Sequence, residues 1–247
     1  MTTALVVAHP GHELRLSAWV RRARPTVFVT ALGSRSGRSD ARILASRAVI
    51  ETLGACAGEP FGAAFDTDLY AAVMASDPAP FLSLTDRLAA AFSAQTTTLV
   101  VADSWQNYNP VHDLTHLIAR TAAAETGAQF LDYPVVLGDL AQAPAGPVAE
   151  AADLSIVDLA EKHALIARYP EIAEDVAGLA AASGDAAFAR ETLHHPLPLS
   201  DLLPLAEPPW YETWGEGRVK AGVYAQALRW CHMAPIVDAL STRLDAA

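Results

Sequence analysis

The period of the apolar residues changes several times along the chain, and each change predicts an element. Ala4-Leu5-Val6-Val7-Ala8 is a continuous apolar run, the pattern of a strand buried on both faces. Leu16, Trp19, Val20 and Ala23 then recur at helical spacing, and Pro25 ends that period. A second strand is predicted over 26–32, followed by a Gly/Ser/Arg loop over 33–39. The next helix has Ser39 as a possible cap and Ile43, Ile50 and Leu53 facing inward, and Gly54 stops it. The order βαβα predicts a parallel sheet with helices on its faces.

Residues 55–96 are less regular, with turn signals at 66–68 and 77–80 and an Ala-rich helix near 84–94. A β-branched strand is predicted over 97–102, ending at Asp103. Asn109 suits an N-cap and Pro110 the first helical position, and Leu114, Leu117, Ile118 and Thr121 continue an inward stripe. A further strand is expected at 134–137, and 153–183 reads as mostly helical with a break at Tyr169-Pro170. The segment 196–209 carries five prolines and reads as extended. Two helices, near 216–230 and 235–244, close the chain. The expectation is one α/β domain over 1–247, a mostly parallel sheet flanked by helices with a helical C-terminal region from about residue 153.

Composition narrows the partners. At 247 residues, 52% hydrophobic and 18% charged, the chain can bury a large core and is not a disordered polymer. Its 28 acidic against 17 basic side chains give a net charge of −11, which disfavours nucleic acid and anionic lipid as partners. The segment before His9-Pro10 lacks a basic region and reads as a strand rather than a signal peptide, and no uncharged apolar run approaches the roughly 18 residues of a membrane span. Cys56 and Cys231 lie far apart without metal-ligand spacing, as expected of two buried thiols in a reducing cytoplasm.

Candidate chemistry gathers just after the strands, where ligands bind in open α/β sheets. In His9-Pro10-Gly11-His12-Glu13 the Pro-Gly pair bends the backbone so that two imidazoles can point to one centre. His112, in the first turn of the helix after Asn109, is a third candidate ligand from another strand end. Three protein ligands and an open position suit a catalytic zinc. The alternative is a hydrogen-bonded His9–His12 pair with His112 on a helix surface. A zincin is excluded, because Pro10-Gly11 interrupts any helix that would carry both histidines. Asp103, Asp113 and Glu13 are the nearby carboxylates, candidates for proton transfer or for orienting imidazoles. Arg35, Arg38 and Arg42 form a local basic cluster suited to an anionic substrate group. Tyr108 and Trp105 flank the third-ligand region.

Val6-Val7-Ala8-His9-Pro10-Gly11-His12-Glu13 resembles the opening strand and A-H-P-D-D-E motif of the PIG-L/LmbE-like N-acetylglucosaminyl deacetylases. Asn109-Pro110-Val111-His112 resembles their later H-P-D-H element. Arg42 and Leu53-Gly54 keep the family's spacing, and Lys162 and Tyr169 resemble its later Lys-rich helix. The resemblance is concentrated in the first 55 residues and in 99–118 and ends near residue 170. It implies a Rossmann-like zinc amidohydrolase with His9 and His112 in ligand positions. His12 replaces the ligand Asp, giving a three-histidine site, and Gly11 replaces the general-base Asp. Asn109 stands at a second histidine of the family, Ala45 at a glutamate, and Glu171-Ile172 at Ser-Gln. The implied activity is removal of an N-acyl group from an amino sugar or sugar conjugate, with no nucleic acid or membrane partner and a possible homo-oligomer. The competing expectations are another metal-assisted amide or ester hydrolysis and an inactive metal- or sugar-binding protein.

Overall fold

The computed structural model describes residues 2–33, 39–138, 141–203 and 207–247. The apolar first run forms β1 (Thr3–Val7), completely shielded from solvent from Ala4 to Ala8. A 3-10 turn over His12–Leu16 leads into α1 (Ser17–Ala23), then β2 (Thr26–Ala31) and α2 (Ser39–Thr52). Residues 56–74 are more regular than their sequence suggests: β3 (Cys56–Ala64) is followed by α3 (Asp66–Met74). Next come α4 (Ala79–Gln95), β4 (Leu99–Asp103), α5 (Pro110–Glu125) and β5 (Gln129–Tyr133). The remainder comprises β6 (Val148–Asp153), α6 (Ile156–Ala167), α7 (Ala173–Ser183), β7 (Arg190–His194), α8 (Leu199–Leu202), α9 (Trp210–Lys220) and α10 (Trp230–Asp245).

Among the described residues the strands form one sheet in the order β3-β2-β1-β4-β5-β7-β6. The first five are mutually parallel, and β7 runs antiparallel to both β5 and β6. One layer packs Val6, Phe28 and Val100 against Leu88, Leu114, Leu117 and Ile236. The opposite layer packs Leu5, Val27 and Val101 with Trp19, Val20, Ile50 and Leu165. Strand order reverses between β1 and β4, so a crevice opens beyond their carboxyl ends.

Several expectations are corrected. The strand expected at 134–137 is instead β5, one segment earlier, because Gln106 takes up the backbone of 135–136. Its Oε1 accepts from the Val135 and Val136 N–H groups at 2.9 and 3.0 Å, and its Nε2 donates to the Val136 carbonyl at 2.7 Å. The region from 153 is largely helical, as expected, with one strand, β7, joining the main sheet. Part of the proline-rich segment forms α8. The final helices are displaced, the first to Trp210–Lys220 and the second beginning at Trp230. Cys56 and Cys231 are exposed free thiols rather than buried ones. No described helix is long and apolar enough to cross a membrane.

Candidate metal centre and cleft

His9 follows β1, His12 opens the 3-10 turn, and His112 lies in the first turn of α5. Gly11 makes the first two converge by adopting φ 108°, a conformation open to glycine and costly for other residues. Glu13 then fixes the turn: one carboxylate oxygen accepts from the Gly11 N–H at 2.7 Å and the other from Ser46 Oγ of α2 at 2.7 Å. Burial pushes the Glu13 carboxyl pKa up. Asn109 caps α5 by accepting from the Val111 N–H at 2.8 Å, and Pro110 follows it, which holds His112 at the crevice.

The three imidazoles meet there. A ligand nitrogen of each lies within 4.8 Å of the other two, and His9 Nδ1 stands 3.1 Å from His112 Nε2. Carboxylates grip the other nitrogens of two of these rings. Asp66 Oδ1 is 2.9 Å from His9 Nε2, and Asp103 Oδ2 is 2.8 Å from His12 Nδ1. Asp103 is fully buried and also accepts from the Ala8 N–H at 3.0 Å and the Tyr133 hydroxyl at 2.8 Å. Burial, reinforced by the neighbouring His12 and His9, holds His112 well below the usual imidazole range and so keeps it neutral. Burial would raise the Asp66 carboxyl, but the His9 contact and the Arg42 charge leave it below the usual value.

The cluster lies on a cleft of about 640 Å³. Tyr108, Asn109 and Arg42 line it, as does Trp210, whose ring centroid is 4.7 Å from that of Tyr108. Arg42 reaches in from α2 and donates through Nε to the Pro10 carbonyl at 2.9 Å. Arg35 and Arg38 lie outside the described residues. Trp105 turns away from the cleft to pack against Trp230 and His116.

No family model matches the chain, and no curated protein does. Solved structures do. The A40926 pseudoaglycone deacetylase Dbv21 superposes with a TM-score of 0.57 at 17% identity, covering 80% of this chain and 99% of that one. A deacetylase–teicoplanin complex gives 0.52 at 12% identity, covering 80% and 100%. A zinc-inhibited form of teicoplanin deacetylase Orf2 gives 0.50 at 14% identity, covering 69% and 85%. The fold is that of the teicoplanin and A40926 deacetylases. At these identities the likeness establishes the fold alone.

Of the three expected carboxylates, Asp103 orients an imidazole and Glu13 accepts from the turn backbone; they and Asp113 are fully buried, and none lines the cleft. Asp113 accepts from the Gln106 and Asn107 N–H groups at 2.8 and 3.2 Å, which clamps the loop before α5, and burial raises its pKa to about 7. Among the described residues, Asp66 and Glu174 are the cleft-lining carboxylates. In the sequence Asp66 marks only a turn. It follows β3 at the same carboxyl edge as His9 and Asp103, so recognition of β3 would have placed it. Glu174, in the first turn of α7, carries no motif that marks it.

Proposed function

We propose that this chain is a zinc-dependent amidohydrolase that removes an N-acyl group from an amino sugar or sugar conjugate. The supporting observation is the three-histidine cluster with carboxylates on the outer nitrogens of His9 and His12. Three imidazoles, two of them oriented by carboxylates on their outer nitrogens, opening together on a cleft suit the donor set of a catalytic zinc. His9, His12 and His112 would hold the metal. When bound, zinc supplies Lewis-acid polarisation of the amide carbonyl and lowers the pKa of water.

The chain's own groups do the rest. Asp66 and Asp103 hold the imidazoles in fixed tautomers and orientations, a positioning task. The Tyr108–Trp210 pair and Asn109 offer a flat aromatic face and an amide to a sugar ring. Arg42 brings a positive charge to the wall. In hydrolysis the oxygen of water bonds to the acyl carbon, the C–N bond breaks, and the amine nitrogen takes up a proton. Glu174, which lines the cleft from α7, is our candidate for moving that proton, with Asp66 hydrogen-bonded to His9.

The deacetylase neighbours support the reading, and one of them is described as zinc-inhibited, so the metal is added at one equivalent rather than in excess. Zinc-loaded protein should release acid and free amine from an N-acylglucosamine. His9→Ala, His12→Ala and His112→Ala should each lose stoichiometric zinc. Glu174→Gln should keep zinc and lower kcat by about 10²-fold or more. Full occupancy in His112→Ala would remove the third ligand. Bound zinc with no turnover on any acylated sugar would favour the binding-protein reading, which the missing Gly11 side chain recommends.

A further inference from the structure

We propose that a second cavity, beside the metal cleft, is a binding site for a small monocarboxylate held by Arg15. The site is independent of the hydrolase reading. The cavity has a volume of about 270 Å³ and lies where the 3-10 turn after β1, the end of β5 and the start of β7 come together. Among the described residues, Arg15 alone lines both this cavity and the cleft.

Arg15 is a cation left over. Its Nη1 donates to the Ala187 carbonyl at 3.1 Å, and its Nε is closed to solvent without a partner. The carboxylate in the cavity wall, Glu191, is committed elsewhere: Oε1 accepts from Lys162 Nζ at 2.9 Å and from the Ala18 N–H at 3.1 Å, and Oε2 accepts from the Trp19 N–H at 2.9 Å. Tyr133 shares the wall, but its hydroxyl donates to Asp103, and burial holds its pKa well above the usual value, so it stays neutral. Arg190, also in the wall, is paired with Asp153 at 2.7 Å. Arg15 and Lys162 therefore share one buried carboxylate, and Lys162 holds it. Burial pulls the Arg15 pKa below its usual value, yet a guanidinium in a protein stays charged. A charge withdrawn from water without a counter-ion is costly, and a bound anion offsets that cost.

The walls select the anion. Leu16, Pro134, Leu137 and Ala187 are apolar, whereas Glu191 repels a second negative charge. A phosphate dianion would meet one guanidinium and a carboxylate. A monocarboxylate matches the guanidinium in charge and planar shape and lays its carbon body on the apolar wall. At about 30 Å³ for each water-sized group, the cavity holds roughly nine of them, the size of benzoate.

The test is calorimetric titration of the full chain, freed of metal so that no zinc competes for the carboxylate. Benzoate should bind at least about tenfold more tightly than benzamide, which has nearly the same shape and no charge. Arg15→Gln should abolish that preference. Leu137→Trp fills the cavity from a partly exposed position and leaves the guanidinium in place. It should weaken benzoate at least about tenfold, and it decides the matter even where Arg15→Gln fails to fold. Arg42→Gln, which alters the cleft and not this cavity, should leave benzoate binding unchanged. No binding of benzoate, equal affinity for benzamide, or a loss caused by Arg42→Gln with none from Leu137→Trp overturns the site, the last by placing the carboxylate in the metal cleft.

Discussion

Asp103 has more accepting to do than any replacement could manage. Its two oxygens take hydrogens from the Ala8 backbone, the Tyr133 hydroxyl and His12, all within 3.0 Å, in a site closed to solvent. Asparagine keeps the size but turns one of those oxygens into a donor, which must then face another donor. Asp103→Asn should therefore disorient the His12 ring and weaken zinc binding by about 10- to 100-fold, the usual cost of losing a carboxylate behind a ligand imidazole. A chelator-competition titration reads this directly. Unchanged zinc affinity together with a lost limb of the pH–rate profile would return Asp103 to direct proton transfer, the role that strand-end position alone suggests.

At the scale of elements, one buried ion pair holds three segments together. Lys162 of α6 donates to Glu191 of β7 and to the Arg15 carbonyl, both at 2.9 Å. Glu191 also accepts from the Ala18 and Trp19 N–H groups at 3.1 and 2.9 Å, so its charge sits at the N-terminus of α1. Burial pulls the Lys162 amine pKa down, and Glu191 opposes that. Lys162→Met leaves a buried carboxylate without its cation and should cost about 3 to 5 kcal/mol of stability, measured by urea unfolding. A loss below about 1 kcal/mol would mean that the helix N–H groups alone carry Glu191.

This pair also shows what the sequence could and could not disclose. β1, β2 and β4 were legible because both faces are buried and the residues are apolar throughout. The α5 cap was legible because Asn-Pro has one local meaning. The convergence of His9, His12 and His112 followed from topology. β3 was hidden by Gly58, Pro60 and Gly62: a Cβ at Gly58 would lie 2.5 Å from the Phe28 ring, so close packing of the neighbouring strand excludes the side chains that advertise a strand. With β3 went Asp66. β6 was hidden by its exposure and its Ala/Glu content, and β7 by its charge. The false strand at 134–137 was apolar enough for a sheet, but its partner was the side chain of Gln106, a long-range contact that no local pattern encodes.

For the whole molecule, pH dependence tests whether the core beside the metal cluster is as dry as it looks. His116 and Asp132 face each other across α5 and β5, with His116 Nδ1 3.6 Å from Asp132 Oδ2. Burial first, and then the Arg120 charge, lower His116 from 6.5 to about 3; burial raises Asp132 from 3.8 to about 6. The two have opposite signs. A neutral buried histidine contributes stability that is present above pH 6.5 and lost as pH falls toward 3, because the unfolded chain binds the extra proton. A buried carboxylic acid contributes stability that is present below pH 3.8 and lost as pH rises through 6. Between about pH 4 and 6 each changes stability by about 1.4 kcal/mol per pH unit, so in the parent protein they nearly cancel. Each single variant should uncover the other group. Relative to the parent, Asp132→Asn should lose roughly 3 kcal/mol as pH falls from 6 to 4, and His116→Leu should gain roughly as much. Chemical denaturation at pH 4, 5 and 6 measures both slopes. Parallel curves for the two variants and the parent would show that neither group changes its protonation on unfolding in this range, and that water or a rearranged ion pair reaches the space between α5 and β5.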